Sequence, residues 1–414
     1  MTGSELERSP ADWLEGLARV GWRPGLERTR ELMAALGSPQ REYRTIHVVG
    51  TNGKTSTTLY AAALLRALGL RDGSLTSPHL DDWTERVRIA GRMLDRPSWL
   101  EALETVQREV GLLEGRDPSL GPVSQFEAAT AAGFLALARA GVEAAVIEAG
   151  LGGRLDSTNV LESEVTVLTS IGLDHTEWLG ETREEIATEK LAVLRPGTTL
   201  ITGPLPDGVG DLAERVAVER DAELVTVVDP GEGVSGPIGR YARIDFALAL
   251  AAVERLFGPV GPEERMEAVA GAGLRGRMEL VRSDPPVVLD VAHNPDGIAS
   301  LIESLPSLID DRSLVVVFGC LDDRDPDALL APLAGRAVEV IACLAPGSGG
   351  PAGRSGLDPA LIGDAAGRLG LPVSVVDESA AAVRAAIRAA EASGAAVLVC
   401  GSHGLVAEIA RLQP

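Results

Sequence analysis

The chain has 414 residues, more than one hydrophobic core comfortably serves, so two or three domains are expected. Its formal charge of −22 excludes the broad basic face that a phosphodiester backbone requires, and no apolar run reaches the length of a membrane span. With 45% apolar but only 3% aromatic residues, the core must be built from Ala, Leu and Val.

In chain order, residues 1–10 are polar and hold no apolar signal core, while Cys320, Cys343 and Cys400 sit in separate apolar runs without a close pair. Together they predict reduced, buried thiols in a soluble cytoplasmic protein. The first strong element is the strand-like run Ile46-His47-Val48-Val49. It flows into Gly50-Thr51-Asn52-Gly53-Lys54-Thr55-Ser56-Thr57-Thr58 and then into a helical pattern over 59–65. Strand, Gly-rich loop and helix in that order aim backbone N–H groups and a helix N-terminus at a polyphosphate. Lys54 would reach the terminal phosphates, and the hydroxyl of Thr55 or Ser56 would ligate or orient Mg²⁺. Val48 stands where the longer P-loop pattern has its first glycine, so this is a shorter form. An ordinary Gly-rich turn is the competing reading, which the flanking strand and helix disfavour.

Helices are expected near 98–110 and 126–140, and strands over 144–150 and 165–171. Ile186-Ala187-Thr188-Glu189-Lys190-Leu191 reads as a helix that closes at Arg195-Pro196-Gly197. After Asp284-Pro285-Pro286 the rhythm restarts, with strands at 287–290, 314–319, 338–345 and 395–400 and an Ala-rich helix over 379–395. This alternation predicts an α/β architecture with parallel sheets, and the Pro pair reads as a linker near Asp284. The stretch 346–351, made only of Gly, Ser and Pro, reads as a mobile loop.

Ligands of parallel sheets bind beyond the carboxyl ends of the strands, so polar residues at those ends are site candidates. They are Glu148, with Gly150-Leu151-Gly152-Gly153-Arg154-Leu155-Asp156 behind it; Asp174 and His175; Asp290, His293 and Asn294; and Ser402 with His403. A carboxylate at a strand end beside a P-loop is a usual way to hold Mg²⁺. All five histidines, His47, His79, His175, His293 and His403, fall near a strand end or candidate loop. A structural role is the simpler reading for any one of them, but the flanking Asp and Asn favour function for His175 and His293. Lys190, on spacing alone, reads as a solvated lysine on a helix.

With these residues in place, the chain resembles folylpolyglutamate synthase and dihydrofolate synthase, members of the Mur ligase superfamily. The resemblance is carried by the P-loop, Thr76-Ser77-Pro78-His79-Leu80, Glu85-Arg86-Val87-Arg88-Ile89, Phe126-Glu127-Ala128-Ala129-Thr130 and 148–160. It continues through Leu173-Asp174-His175, Leu179-Gly180, 186–190, Gly276-Arg277, 289–295, 318–325 and 401–408, in order from about residue 26 to the C-terminus. It implies a P-loop-containing, Mur-ligase-like domain with a parallel-rich sheet (1–284) and a smaller C-terminal Rossmann-like glutamate ligase domain (285–414). The implied reaction is ATP-dependent amide ligation: a carboxylate of a folate or pteroate becomes an acyl phosphate and is joined to the amino group of L-glutamate, releasing ADP. The implied nucleotide set is Gly50, Thr51, Asn52, Gly53, Lys54, Thr55 and Ser56 with Arg277, Asp290 and Asn294. Ser77, Phe126, His293 and Ser402 fall to the substrates. Ser77 and Glu148 would ligate one Mg²⁺, and Glu148 and His175 a second. Lys190 matches the lysine that this superfamily carbamylates with CO₂, which would place it among the metal ligands and, with Lys54 and His293, in the catalytic set. The family also implies a monomer.

Four positions depart from the family pattern. Thr55 stands where the folate enzymes usually have Gly, as in the cell-wall Mur ligases. Tyr241 and Asp245 occupy the family's His-x-x-x-Asn near the adenine, and Asp cannot donate the hydrogen bonds of an Asn amide. Arg275 replaces a Pro before Gly276-Arg277. These departures leave open a related ligase acting on a non-folate carboxylate in cofactor or natural-product assembly. A nucleotide-binding partner protein without ligase activity is disfavoured by the intact Lys54, Glu148, His175, Lys190 and His293.

Overall fold

The run Ile46-His47-Val48-Val49 becomes β1 (Arg44–Val49), a central strand of a largely parallel sheet. The computed structural model describes residues 8–20, 23–228, 239–347 and 353–412. The chain divides into one unit of Met1–Pro237 with Ala242–Gly273 and another of Ile238–Tyr241 with Leu274–Pro414. Among the described residues no helix is long and apolar enough to cross a membrane.

The first unit's sheet contains β2 (Asp72–Leu75), β3 (Val87–Ile89), β4 (Arg92–Met93), β5 (Ala144–Glu148), β6 (Val165–Leu168), β7 (Thr199–Thr202) and β8 (Glu223–Thr226), in the order β4-β3-β2-β5-β1-β6-β7-β8. Only β3 and β4 run antiparallel to their neighbours. Val48 pairs with Glu148 on one side and Val167 on the other, so Gly50, Ala149 and Thr169 leave the sheet in one layer. That register, more than any single residue, sets up the site. The helix Gln125–Arg139 covers one part of this sheet, with Arg96–Arg116 packed on its outer side, and the former is buried through Ala128, Ala129, Ala131 and Ala132. Small side chains let it pack closely, as the aromatic-poor composition requires. Glu127 is spent on this packing: it forms a capping box with Ser124 and takes a buried hydrogen bond from Arg28 Nε at 3.1 Å.

The second unit's sheet contains β9 (Glu279–Ser283), β10 (Pro286–Leu289), β11 (Leu314–Phe318), β12 (Ala337–Ala342), β13 (Val373–Val375) and β14 (Ala396–Cys400), ordered β13-β12-β11-β14-β10-β9. β11 and β14 are buried along their whole length, which is why they read as continuous apolar runs. Cys320, Cys343 and Cys400 are buried free thiols here. The parallel α/β reading holds for both sheets. The Pro pair, however, is no linker. β9 pairs antiparallel with β10, and Asp284-Pro285 turns between them, with Pro286 opening β10 where a missing N–H is tolerated. The units divide earlier, between Gly273 and Leu274. Of the expected loop at 346–351, residues 348–351 lie outside the described residues.

His47 lies within β1 and is fully buried. Its Nε2 is 2.8 Å from Thr158 Oγ1, whose own proton goes to Asp156 Oδ1, so Nε2 must carry the hydrogen and the ring is neutral. Burial, with a smaller contribution from nearby Arg195, lowers its pKa to about 3. The folded value lies below the unfolded value of about 6.5, so stability present above that pH is lost as pH falls toward 3. Unfolding free energies from urea titrations between pH 7 and pH 5 should fall more steeply for the natural chain than for His47→Leu, by up to about 1.4 kcal/mol per pH unit. Equal slopes would refute this origin of acid lability.

Candidate active site

The P-loop is held from the side by the segment that follows β6. Thr51 N donates to Ser170 O at 2.8 Å, Asn52 N to Ser170 Oγ at 2.9 Å, and Thr169 Oγ1 to Asn52 O at 2.6 Å. Gly172 N closes the set on Thr51 Oγ1 at 3.0 Å. Thr169 and Ser170 read as strand residues in the sequence. The strand ends at Leu168, and both hydroxyls turn to the loop instead. Gly53 caps the helix Lys54–Ala67 with φ 85°, and a side chain there would strike the carboxylate of Asp245. Asp245, at one of the departures from the family pattern, is thus packed against the phosphate loop.

Two lysines converge on one backbone carbonyl. Lys54 Nζ donates to Gly50 O and to Thr51 O, each at 3.0 Å, and Lys190 Nζ donates to Gly50 O at 2.8 Å. The helix Arg183–Leu191 carries Lys190, which is 4% exposed and so not the solvated lysine that spacing alone suggests. Burial first, then the charge of Lys54, lowers its pKa to about 7, against the opposing pull of Asp174 and Asp156. A fraction of the amine is therefore uncharged near neutral pH.

Glu148 ends β5 and is 3% exposed. Thr55 Oγ1 donates to its two oxygens at 3.0 and 3.1 Å, and Ser77 N to Oε2 at 3.1 Å. Ser56 is buried within the helix. Leu75, Ser77, Phe126, Ala129, Thr130 and Glu148 are among the residues lining one small cleft, so Ser77 and Phe126 do share it with the carboxylate. His175 caps the short helix Thr176–Leu179 with φ 51°, and its N–H donates to Asp174 Oδ1 at 2.9 Å. Among the described residues no three His, Cys, Asp or Glu side chains converge as a metal-binding cluster. Glu148 instead accepts from the Thr55 hydroxyl and the Ser77 N–H, leaving its carboxylate and the adjoining hydroxyl as the hard-oxygen groups here that suit a cation keeping most of its waters, such as Mg²⁺.

In the second unit the residues after β10 and β14 come together. Asp290 accepts from Tyr241 Oη at 2.9 Å, Met278 N at 2.8 Å and Ala292 N at 2.8 Å. Burial raises its pKa, against the pull of Arg277 and these donors. Tyr241, the other departure, is therefore a partner of Asp290. Arg277 Nη1 donates to Gly276 O at 3.0 Å. His293 Nδ1 faces Val291 O at 2.9 Å, and since a carbonyl only accepts, Nδ1 carries a hydrogen. Asn294 Oδ1 caps the helix Pro295–Ser304 through Gly297 N at 2.8 Å, and Ser402 Oγ accepts from Leu405 N at 3.1 Å. His403 is the neighbour that sequence reasoning undervalued: its ring centroid lies 5.3 Å from that of His293. The signal was its place directly after β14.

A P-loop closed by a second lysine, and a separate α/β unit with a histidine and a serine at its strand ends, define a carboxylate–amine ligase of the Mur type. Residues 276–403 match the family model "Mur ligase, glutamate ligase domain". The chain is 34% identical over 341 residues to the dihydrofolate synthase/folylpolyglutamate synthase of Bacillus subtilis (strain 168), covering 75% of this chain and 79% of that protein. Its fold matches Mycobacterium tuberculosis folylpolyglutamate synthase complexed with ADP at a TM-score of 0.89, with 31% identity and 98% of each chain covered. It also matches a bifunctional folylpolyglutamate synthase/dihydrofolate synthase with Mn, AMPPNP and L-glutamate bound, at a TM-score of 0.83, 30% identity and 99% of each chain. The chain belongs to the dihydrofolate synthase/folylpolyglutamate synthase family of ATP-dependent ligases.

The placement of Lys190 depends on Gly153. A Cβ at that position would lie 2.7 Å from Glu189 O and 2.8 Å from Lys190 O, both backbone atoms that cannot swing aside. Gly153→Ala should therefore lower stability by about 1–3 kcal/mol, read as a drop in thermal midpoint. A midpoint unchanged from the natural chain would show that the helix tolerates the shift.

Proposed function

We propose that this chain uses ATP to activate the carboxylate of a folate or pteroate and joins it to the amino group of L-glutamate. The carrying observation is the convergence of Lys54 and Lys190 on Gly50 O in a chain of this family. An acceptor carboxylate oxygen attacks the γ-phosphorus of ATP and ADP leaves. The amine of glutamate then attacks the acyl carbon, loses a proton, and phosphate departs. Moving a phosphoryl group between anions needs positive charge over the transferred oxygens, which the Lys54 ammonium supplies at the mouth of the loop. Glu148, Ser77 and His175 would hold Mg²⁺, at two sites in this reading, with the hydroxyl of Thr55 adjoining Glu148. The metal supplies further charge neutralisation across the phosphates.

Lys190 is assigned to carbamylation. CO₂ reacts with the free amine, and a buried lysine with a pKa of about 7 presents that form near neutrality far more often than an ordinary lysine. The product would turn one of two crowded cations into an anion suited to a metal. In the second unit, His293 and Ser402 are assigned to the incoming glutamate, and Arg277 and Asn294 to the nucleotide. Asp290, engaged by three donors, is assigned to shaping the Arg277 loop and through it the nucleotide contact. The net charge of −22 and the buried free thiols support a cytoplasmic protein without a nucleic-acid partner, and we take it to act as a monomer.

Phosphate release should require L-glutamate together with dihydropteroate or tetrahydrofolate. Release driven by some other carboxylic acid, with none from either pterin, would overturn the folate assignment. Lys190→Ala should lose most of this activity, about 100-fold or more if a charged group in the transition state is removed, and short-chain carboxylic acids should restore part of it. Full activity without rescue would sink the carbamate.

A further inference from the structure

One cation in the first unit is built with care and absorbed by nothing above. The turn Trp83–Arg86 precedes β3 and is fixed by its own hydrogen bonds. Asp82 Oδ1 accepts from Thr84 N at 3.0 Å, and Glu85 collects the backbone N–H groups of Leu80, Asp81 and Asp82 at 3.2, 2.6 and 2.9 Å. On this rigid turn the Arg86 guanidinium lies over the Trp83 ring, 4.1 Å from its centroid, and its Nε donates to His79 Nδ1 at 2.9 Å. Acceptance at Nδ1 requires that nitrogen to be bare, so His79 is neutral with its hydrogen on Nε2. Trp83 is held in turn: its Nε1 donates to Glu15 at 2.7 Å, and its ring stacks on Trp99.

These contacts use one face of the guanidinium and its Nε. What remains is the end-on fork of Nη1 and Nη2, which makes no hydrogen bond or ion pair with a described residue. Arg86 lines the same small cleft as Phe126, Ser77 and Glu148. The nearby carboxylates are occupied elsewhere, Glu148 by Thr55 and Ser77, Glu15 by Trp83. Burial depresses the Arg86 pKa to about 10, with Glu148 and Glu15 pulling the other way. A half-buried, pre-oriented fork that forms no ion pair with a described residue is arranged for a planar carboxylate that arrives from outside.

We propose that Arg86 binds the carboxylate of the acceptor end-on, with His79 and Trp83 as positioning residues that hold the fork toward the cavity. Leu75, Phe126 and Ala129 border the same cleft and add apolar side chains beside the fork. Glu148, joined to the P-loop helix through Thr55, borders the same chamber, so a carboxylate on Arg86 lies in the chamber that holds the phosphate machinery's acid. The inference rests on the ligase reading above.

The test compares pteroate with its primary carboxamide by calorimetry, in buffer free of divalent metal, on the full-length natural chain, Arg86→Met and Arg86→Lys, with ADP titrated into each sample. The natural chain should prefer the carboxylate by about 10- to 100-fold. Arg86→Met should lose that preference while keeping its affinity for the carboxamide and for ADP, and Arg86→Lys should fall between. Arg86→Met that still prefers pteroate, or that weakens both pterins equally while binding ADP normally, overturns the proposal. If Arg86→Met also loses ADP, Arg86→Lys decides, and an undiminished preference there refutes the fork. A natural chain that binds ADP but neither pterin refutes the folate reading itself, and the inference falls with it.

Discussion

The carbonyl of Gly50 is the point on which the first unit's site depends. Two ammonium groups cannot share one oxygen at 3.0 and 2.8 Å without raising each other's electrostatic cost. Lys54 spreads part of its charge onto a second carbonyl, Thr51 O at 3.0 Å, while Lys190 has Gly50 O at 2.8 Å. Burial adds to the cost, and the result is an amine, on Lys190, that loses its proton far more readily than a lysine in water. A phosphate loop of the simplest kind needs only Lys54. In the proposed carbamylation, the second lysine would change what the loop is for, since a neutral amine beside a phosphate site can be modified into an anion, and an anion can hold metal.

The arrangement is rigid for reasons that lie one layer away. Parallel register brings the ends of β1, β5 and β6 into one plane, so three loops leave together and can bond to one another. Thr169 and Ser170 pin the phosphate loop from one side, and Glu148 meets Thr55 and Ser77 on the other. The glycines of the 150–153 segment remove side chains where Phe126 and the Lys190 helix approach. In the second unit the corresponding layer is made by Asp290, which ties Tyr241 and the Met278 backbone to the end of β10. The departures from the family pattern at Tyr241 and Asp245 thus have physical partners here, a buried carboxylate and a tight loop respectively.

Much of this was legible in the residue order. The strand, loop and helix around Lys54 were readable because each carries its own local signal: β-branching, glycine and a helical apolar repeat. The buried strands β11 and β14 were readable for the same reason. What misled was any residue whose local pattern had two outcomes. Asp284-Pro285-Pro286 has the composition of a linker and of a hairpin turn, and only the pairing of β9 with β10 separates them. Thr169 and Ser170 continue a strand-like run, and only the position of the neighbouring loop turns them out of it. His47 adjoins the phosphate loop in the sequence, where a structural role is the simpler reading, and it is sealed inside β1 against Thr158.

By itself the sequence determined the class of fold, the phosphate loop, and the identity of the groups able to do chemistry. These follow from short-range rules, in which a few consecutive residues decide backbone shape and side-chain type decides reactivity. The tertiary structure alone decided which of those groups act on each other. Lys190 is 140 positions from Gly50, and Arg86 is fixed by a histidine and a tryptophan that set its direction rather than its charge. Burial, the approach of like charges and the aim of a guanidinium fork are properties of distances in space, which no local pattern encodes.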